Sequence, residues 1–172
     1  MTIKLTLPNE KHKKQILNYK HDFITNGDSM DGTAGLSTVA NFEIWLENIH
    51  KNSNEETVLP NLVPATTYLA FNKENKLVGM IDIRHRLNDY LLKTGGHIGY
   101  SVLKSERRKG IATAMLNLAL EKCQELGIEK VLLTCDKENI GSAKTIKNCG
   151  GVLENEVEDN DRVTQRYWII VQ

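Results

Sequence analysis

Apolar and polar residues alternate from the start of the chain. Ile3, Leu5 and Leu7 share one side of a period-2 pattern that Pro8 ends, which predicts a short first strand. From Glu10 to Thr25 the pattern changes: Ile16, Leu17, Tyr19, Phe23 and Ile24 recur in a polar run, an amphipathic helix stopped by Asn26-Gly27-Asp28. Phe42, Ile44, Trp45, Leu46 and Ile49 predict a second helix with an aromatic face over 41–50, between loop-like stretches at 26–35 and 52–64. Thr66–Phe71 and Leu77–Arg84 are apolar runs joined by Asn72-Lys73-Glu74-Asn75, hence an antiparallel hairpin. Alternation puts Val78, Met80, Asp82 and Arg84 on one face and Leu77, Gly79, Ile81, Ile83 and His85 on the other, so Asp82 interrupts an apolar face.

After a connector at 86–93 and Gly95-Gly96, the run His97–Leu103 sends Ile98, Tyr100 and Val102 one way and His97, Gly99 and Ser101 the other. Gly99 marks a candidate bulge. Ile111, Met115, Leu118, Ala119, Cys123 and Leu126 recur at helical intervals until Gly127, and Val131–Cys135 is a nearly continuous apolar strand, as expected where both sheet faces are covered. Strand, helix, strand implies a right-handed parallel crossover. A shorter helix over 139–149 and a hairpin of 152–157 with 163–171 complete the chain. The predicted fold is α/β, with a mixed sheet holding a central parallel pair and helices on both faces.

The length of 172 residues fits one domain, 1–172, with a variable part at 1–64 and a core at 65–172. Lys plus Arg and Asp plus Glu both number 22, so no net field draws the protein to nucleic acid or an anionic membrane. Cys123, Cys135 and Cys149 form no Cys-x-x-Cys pair and there is no histidine cluster at zinc spacing, so no metal site is expected and a reducing cytoplasm is the simplest setting. No apolar signal core follows Met1 and no run of about 18 apolar residues occurs, which argues against export and membrane spanning.

Cationic character is local. Ser105-Glu106-Arg107-Arg108-Lys109-Gly110-Ile111-Ala112-Thr113 lies between the strand at 97–103 and the helix that follows. A turn there directs unpaired N–H groups and the positive end of the helix dipole at one point, which suits a phosphate. Arg107, Arg108 and Lys109 add cations; Gly110 and Ala112 leave room for close approach. The spacing fits neither Gly-x-x-x-x-Gly-Lys-Ser/Thr nor Gly-x-Gly-x-x-Gly. Arg107-x-x-Gly110-x-Ala112 instead resembles the Arg/Gln-x-x-Gly-x-Gly/Ala signature of the GNAT superfamily, the acetyl-coenzyme A dependent N-acetyltransferases. Asn139-x-x-Ser142 with Gly150-Gly151 resembles that family's second cofactor-contacting segment, and the likeness covers about residues 65 to 171.

The resemblance implies acetyl transfer from acetyl-CoA to a primary amine, by direct attack in a ternary complex. It implies that the strands at 97–103 and 131–135 splay apart. It assigns the pyrophosphate to residues 107–113, and the pantetheine amides to the strand edge at Val102 and Leu103, with Asn139 and Ser142 alongside. Asn139 equally suits a helix N-cap. The acceptor pocket would draw on 28–49 and 84–93, where Phe42 and Trp45 line it or pack as core. Arg84, Arg86 and Lys93 hint at an acceptor bearing a carboxylate, although surface ion pairs explain them as well.

An acceptor ammonium must lose a proton. His97, where relatives often carry a glutamate, is the first candidate base, with a hydrogen-bonded structural histidine as the alternative. Asp82 is the second, with pairing to Arg84 or Arg86 as its alternative, and His85 is a third. The Val102 N–H is the candidate oxyanion donor. Many relatives place a tyrosine seven residues beyond the asparagine; here that residue is Ile146, so Tyr100 and Tyr167 are the remaining phenols to consider. Cys149 lacks a histidine partner for nucleophilic work, and structural roles suit all three cysteines. Two other readings stay open. One is an acyl-CoA sensor without turnover; the other is an assembly protein using its N-terminal helices. Homodimer formation is compatible with each.

Overall fold

The computed structural model describes residues 2–171, so Met1 and Gln172, the end points of the expected single domain, lie outside the described residues. Strand β1 (Ile3–Thr6) leads through a turn at Glu10–His12 to helix α1 (Lys13–Asn26), and helix α2 (Phe42–Asn52) follows a long loop. Gly27 ends α1 in the left-handed region, and the Asn41 side chain caps α2 by accepting the Ile44 N–H. Strands β2 (Ala65–Asn72) and β3 (Leu77–Arg84) form the expected hairpin. A π-type turn at Leu91–Gly95 precedes β4 (Ile98–Val102). Helix α3 (Ile111–Glu125), β5 (Lys130–Asp136), helix α4 (Ile140–Asn148), β6 (Val152–Asp159) and β7 (Arg162–Ile170) complete the order.

The expected single mixed sheet divides in two. One sheet has the order β1-β2-β3-β4 and the other β5-β7-β6, and every ladder is antiparallel. Strand β5 fills its ladder on β7 from Lys130↔Ile170 to Asp136↔Thr164. It forms no ladder with β4, so the parallel pair predicted from the crossover is absent as a hydrogen-bonded pair among the described residues. Contact between the sheets is made by His97, whose N–H donates to the Leu132 carbonyl at 2.7 Å.

Helices do cover both faces of the first sheet. Tyr19 and Phe23 of α1 and Trp45 and Ile49 of α2 pack with Leu69, Met80 and Leu103 on one side. Met115, Leu116 and Ala119 of α3 pack with Ile81, Ile83, Val131 and Tyr167 on the other. Trp45 is fully buried and donates its indole N–H to Thr33 O, so it is core. The alternation predicted for β3 holds from Gly79 onward and is inverted before it. Leu77 packs on the α1 side and Val78 on the α3 side, because Ala70 pairs with Gly79 while Phe71 pairs with Leu77, making Val78 an extra, bulged residue.

Gly99 is not a bulge: β4 pairs with β3 in unbroken register from Gly79↔Val102 to Ile83↔Ile98. Its glycine answers a different demand. The 28–35 loop crosses β4 so closely that a Cβ on Gly32 would lie 2.2 Å from the Gly99 carbonyl oxygen. Gly32 also has φ +71°, so a side chain there is disfavoured twice.

Candidate active site

A cleft of about 1380 Å³ runs between the edge of β4 and the ends of β5 and α4. One end is the entrance to α3. Gly110 occupies the N-cap with φ 77°, and no side chain caps the helix. The first intrahelical bond is donated by Ala114 to Gly110 O, so the N–H groups of Ile111, Ala112 and Thr113 have no helical acceptor. A left-handed residue followed by right-handed ones gathers successive N–H groups into a concave nest, and the α3 dipole adds positive potential. This is a seat for a phosphate.

The three cations beside it divide their work. Arg107 lines the cleft, but its Nε donates to Val102 O at 3.0 Å, its Nη2 pairs with Asp28 at 2.9 Å, and its guanidinium lies 5.9 Å from the Phe23 ring centroid. It braces the 28–35 loop against β4. Lys109 pairs with Glu106 at 3.0 Å. Arg108 lines the cleft and has no ion-pair partner among the described residues. The expected three-cation cradle is thus one unpaired cation and a backbone nest.

Along the cleft, β4 is the edge of its sheet. Leu103 N–H donates to Val78 O at 3.0 Å and Arg84 N–H to His97 O at 2.7 Å. Antiparallel alternation then turns the backbone groups of Ile98, Tyr100 and Val102 away from β3, toward the cleft they line. Val102 therefore offers its N–H, while its carbonyl serves Arg107. Leu103 does not offer its backbone: its N–H is bound by Val78 and its carbonyl accepts from Glu106 at 2.8 Å, because the strand ends there in a tight turn.

On the far wall, Asn139 caps α4, its side chain accepting the Ser142 N–H at 3.1 Å, as the cap reading anticipated; both residues line the cleft. The Ser142 hydroxyl meets the Tyr100 hydroxyl at 2.8 Å. Burial, outweighing the opposing effect of that hydrogen bond, pushes the Tyr100 phenol up to about 12. Ile146 is fully buried, as its apolar side chain demands.

His97 and Asp82 are not among the residues lining the cleft, and each is at most 6% exposed. His97 Nδ1 accepts the Leu132 N–H at 2.9 Å, so the imidazole bridges the two sheets beside its own N–H to Leu132 O. Burial first, and Arg84 second, lower its pKa to about 4. Asp82 accepts from Thr67 Oγ1 at 2.8 Å and pairs with Arg84 Nε at 3.1 Å. Burial pushes its carboxyl up against those two partners. His85 meets Thr66 Oγ1 at 2.7 Å, and Arg86 pairs with Glu55. No described cluster of His, Cys, Asp and Glu could hold a metal ion, and no described helix is long and apolar enough to cross a membrane. All three cysteines are free, and burial raises each thiol, Cys123 to about 12, so none is primed as a nucleophile.

Gly32, Arg84 and Tyr90, from the stretches 28–49 and 84–93 expected to shape the acceptor pocket, line the cleft, and so does Thr94, one residue beyond them, which sequence reasoning missed. Gly95-Gly96 and Gly99 were the legible signals of close packing there. Arg84 Nη1 donates to the carbonyls of Gly95 and Gly96 at 3.2 and 3.4 Å, and Thr134 Oγ1 to Thr94 O at 2.6 Å.

Helices thus cover both faces of a β-sheet whose open edge faces a phosphate nest. Among solved structures, a spermidine N-acetyltransferase from Vibrio cholerae in complex with CoA and spermine is similar over 98% of this chain and 95% of its own, with a TM-score of 0.66 and 16% identity. The microcin C7 self-immunity acetyltransferase, in complex with acetyl-CoA and AMP, matches over 98% and 92%, with a TM-score of 0.65 and 22% identity. At such identities the likeness is one of fold. A search among curated proteins gives no sequence match. The sequence model of the acetyltransferase (GNAT) family matches residues 37–150, and the chain belongs to that family of acyltransferases.

Proposed function

We propose that this protein transfers an acetyl group from acetyl-CoA to a primary amine by direct attack in a ternary complex. The observation that carries the reading is the uncapped nest at Gly110–Thr113, placed at one end of an open strand edge. The nest and Arg108 hold the pyrophosphate; N–H to anion bonds of about 1.5–3 kcal/mol each supply much of a micromolar affinity. The Tyr100 and Val102 N–H groups of β4 serve the pantetheine amides and the thioester carbonyl. That two proteins of this fold were solved with acetyl-CoA or CoA bound supports acetyl-CoA as the donor.

In the reaction the amine nitrogen forms a bond to the acyl carbon, the C–S bond breaks, and the amine's proton ends on the coenzyme A thiol. Tyr100 donates a hydrogen bond to the departing sulfur. With a phenol at about 12 it is too weak an acid to protonate a thiolate of ordinary basicity, near 8.5, so it stabilises charge without giving up its proton. His97, neutral and bound to Leu132, is a positioning residue that fixes the start of β4. The acceptor ammonium loses its proton to water in the open cleft. The apparent second-order rate constant therefore rises about tenfold per pH unit below the amine's own pKa, without an inflection from an imidazole.

The test is release of free coenzyme A thiol from acetyl-CoA against amino acids, polyamines, peptides and aminoglycosides, with an amine-free blank. Turnover confined to one class supports the reading. Calorimetric binding of acetyl-CoA with no turnover in any class would replace it with an acyl-CoA sensor.

A further inference from the structure

The strongest unassigned feature of the cleft lies over Gly99. Two of the nitrogen positions around this point are committed and two are not. Arg84 Nε pairs with Asp82, and Nη1 donates to Gly95 and Gly96. Nη2 makes no hydrogen bond within the described protein, and neither does the Gly32 N–H. Both free nitrogens lie over Gly99: a Cβ placed there would sit 3.2 Å from Arg84 Nη2 and 3.2 Å from the Gly32 nitrogen, tighter than ordinary contact. A glycine lets the two nitrogens pack side by side over the strand, and all three residues line the cleft.

The face matters. Ser101 shares its side of β4 with Gly99 and meets the Tyr19 hydroxyl of α1 at 2.9 Å, so the bare face of Gly99, with Arg84 Nη2 and the Gly32 nitrogen over it, lies on the α1 side. Tyr100 points the opposite way, to Ser142 of α4. The β4 edge between them is where the thioester is placed under the function proposed above, on which this inference rests. Two donors on the α1 side of that edge therefore address the acceptor and not the cofactor.

We propose that Arg84 Nη2 and the Gly32 N–H bind the carboxylate of the acceptor, and that the acceptor is an amino acid whose α-amine attacks the thioester. A carboxylate supplies two acceptor oxygens for two neighbouring donors, one of them charge-assisted. The guanidinium is already held in place by Asp82 and by two carbonyls, so little side-chain freedom is lost on binding. A polyamine brings only more cations to the same donors.

The experiment compares the twenty standard amino acids with amines lacking the carboxylate, among them lysine with cadaverine and phenylalanine with phenethylamine. Arg84→Gln leaves Asp82 buried without its partner, so Asp82→Asn/Arg84→Gln is run beside it, with thermal melting as the folding control. We expect at least one amino acid to beat its decarboxylated partner by about tenfold or more in kcat/KM. In the double variant that advantage falls to about onefold, through KM, while the affinity for acetyl-CoA is kept. Equal use of the two partners by the wild-type protein overturns the inference, as does an advantage that survives in the folded double variant. Calorimetry of the same amino acids on protein saturated with coenzyme A separates the two claims. Arg84-dependent binding without turnover sinks acetyl transfer and keeps the carboxylate site, whereas turnover of amines with no amino acid bound keeps acetyl transfer and sinks the site.

Discussion

A histidine that accepts a backbone N–H through Nδ1 carries its proton on the other nitrogen, and a second proton would break the contact with Leu132. His97 thus couples protonation to the join between the sheets. Its pKa is lowered from 6.5 to about 4, by burial first and Arg84 second. Between those two values the unfolded chain binds the proton and the folded one does not, so this stability is complete above about pH 6.5 and is lost as pH falls toward 4. The loss amounts to about 3 kcal/mol. His97→Gln keeps an acceptor for Leu132 and should flatten that part of the pH profile in urea denaturation measured at pH 7 and pH 4.5. Acetyl transfer should persist within about threefold, whereas a fall of about 10²–10⁴ would make His97 the base after all.

At the scale of elements, the entrance to α3 joins a backbone shape to an electrostatic one. Gly110 holds φ 77°, and a Cβ there would meet no protein atom within 4 Å, so conformation and not crowding calls for glycine. Gly110→Val should weaken acetyl-CoA binding by about tenfold or more, read by calorimetry, because a β-branched residue abandons the left-handed region and opens the nest. Unchanged affinity would remove the pyrophosphate from this turn. The neighbouring arginines should separate: Arg108→Ala weakens the cofactor and lessens the salt dependence of its binding, while Arg107→Ala lowers the melting temperature by freeing Asp28 and the loop it anchors. Those two residues are adjacent in the chain and look alike in the motif. Their difference rests on Asp28, which lies 79 residues away from Arg107.

For the whole molecule, the wall at 88–95 joins both sheets to the acceptor end of the cleft. Arg166 on β7 is buried, donates twice to Leu92 O at 3.1 and 2.8 Å, and is held by Glu154 and Asn155 on β6. Arg166→Met keeps much of the side-chain volume and removes those bonds. We expect a loss of about 2–3 kcal/mol in urea denaturation. Faster amide exchange should be confined to the π-type turn and the β6 edge. Exchange that quickened equally in α3 would mean that the wall is not a separate unit.

Periodicity and its glycine stops placed helices over 10–25, 41–50, 110–126 and 139–149, within three residues of the observed Lys13–Asn26, Phe42–Asn52, Ile111–Glu125 and Ile140–Asn148, and placed the strand hairpins, because period 2 and period 3.6 are written in neighbouring residues. The basic turn and its family signature were equally local. What the fold decided was relational. The Val78 bulge depends on which residue Ala70 faces, and the apolar run at 130–136 does not by itself choose β7 over β4 as its ladder partner. The π-type turn at 91–95 is too short to carry a period, and it is fixed by Arg166 from another sheet. A titratable side chain behaves as its burial and partners dictate, which is why His97 became a bridge, Asp82 an anchor, and Arg84 the guanidinium left facing the cleft.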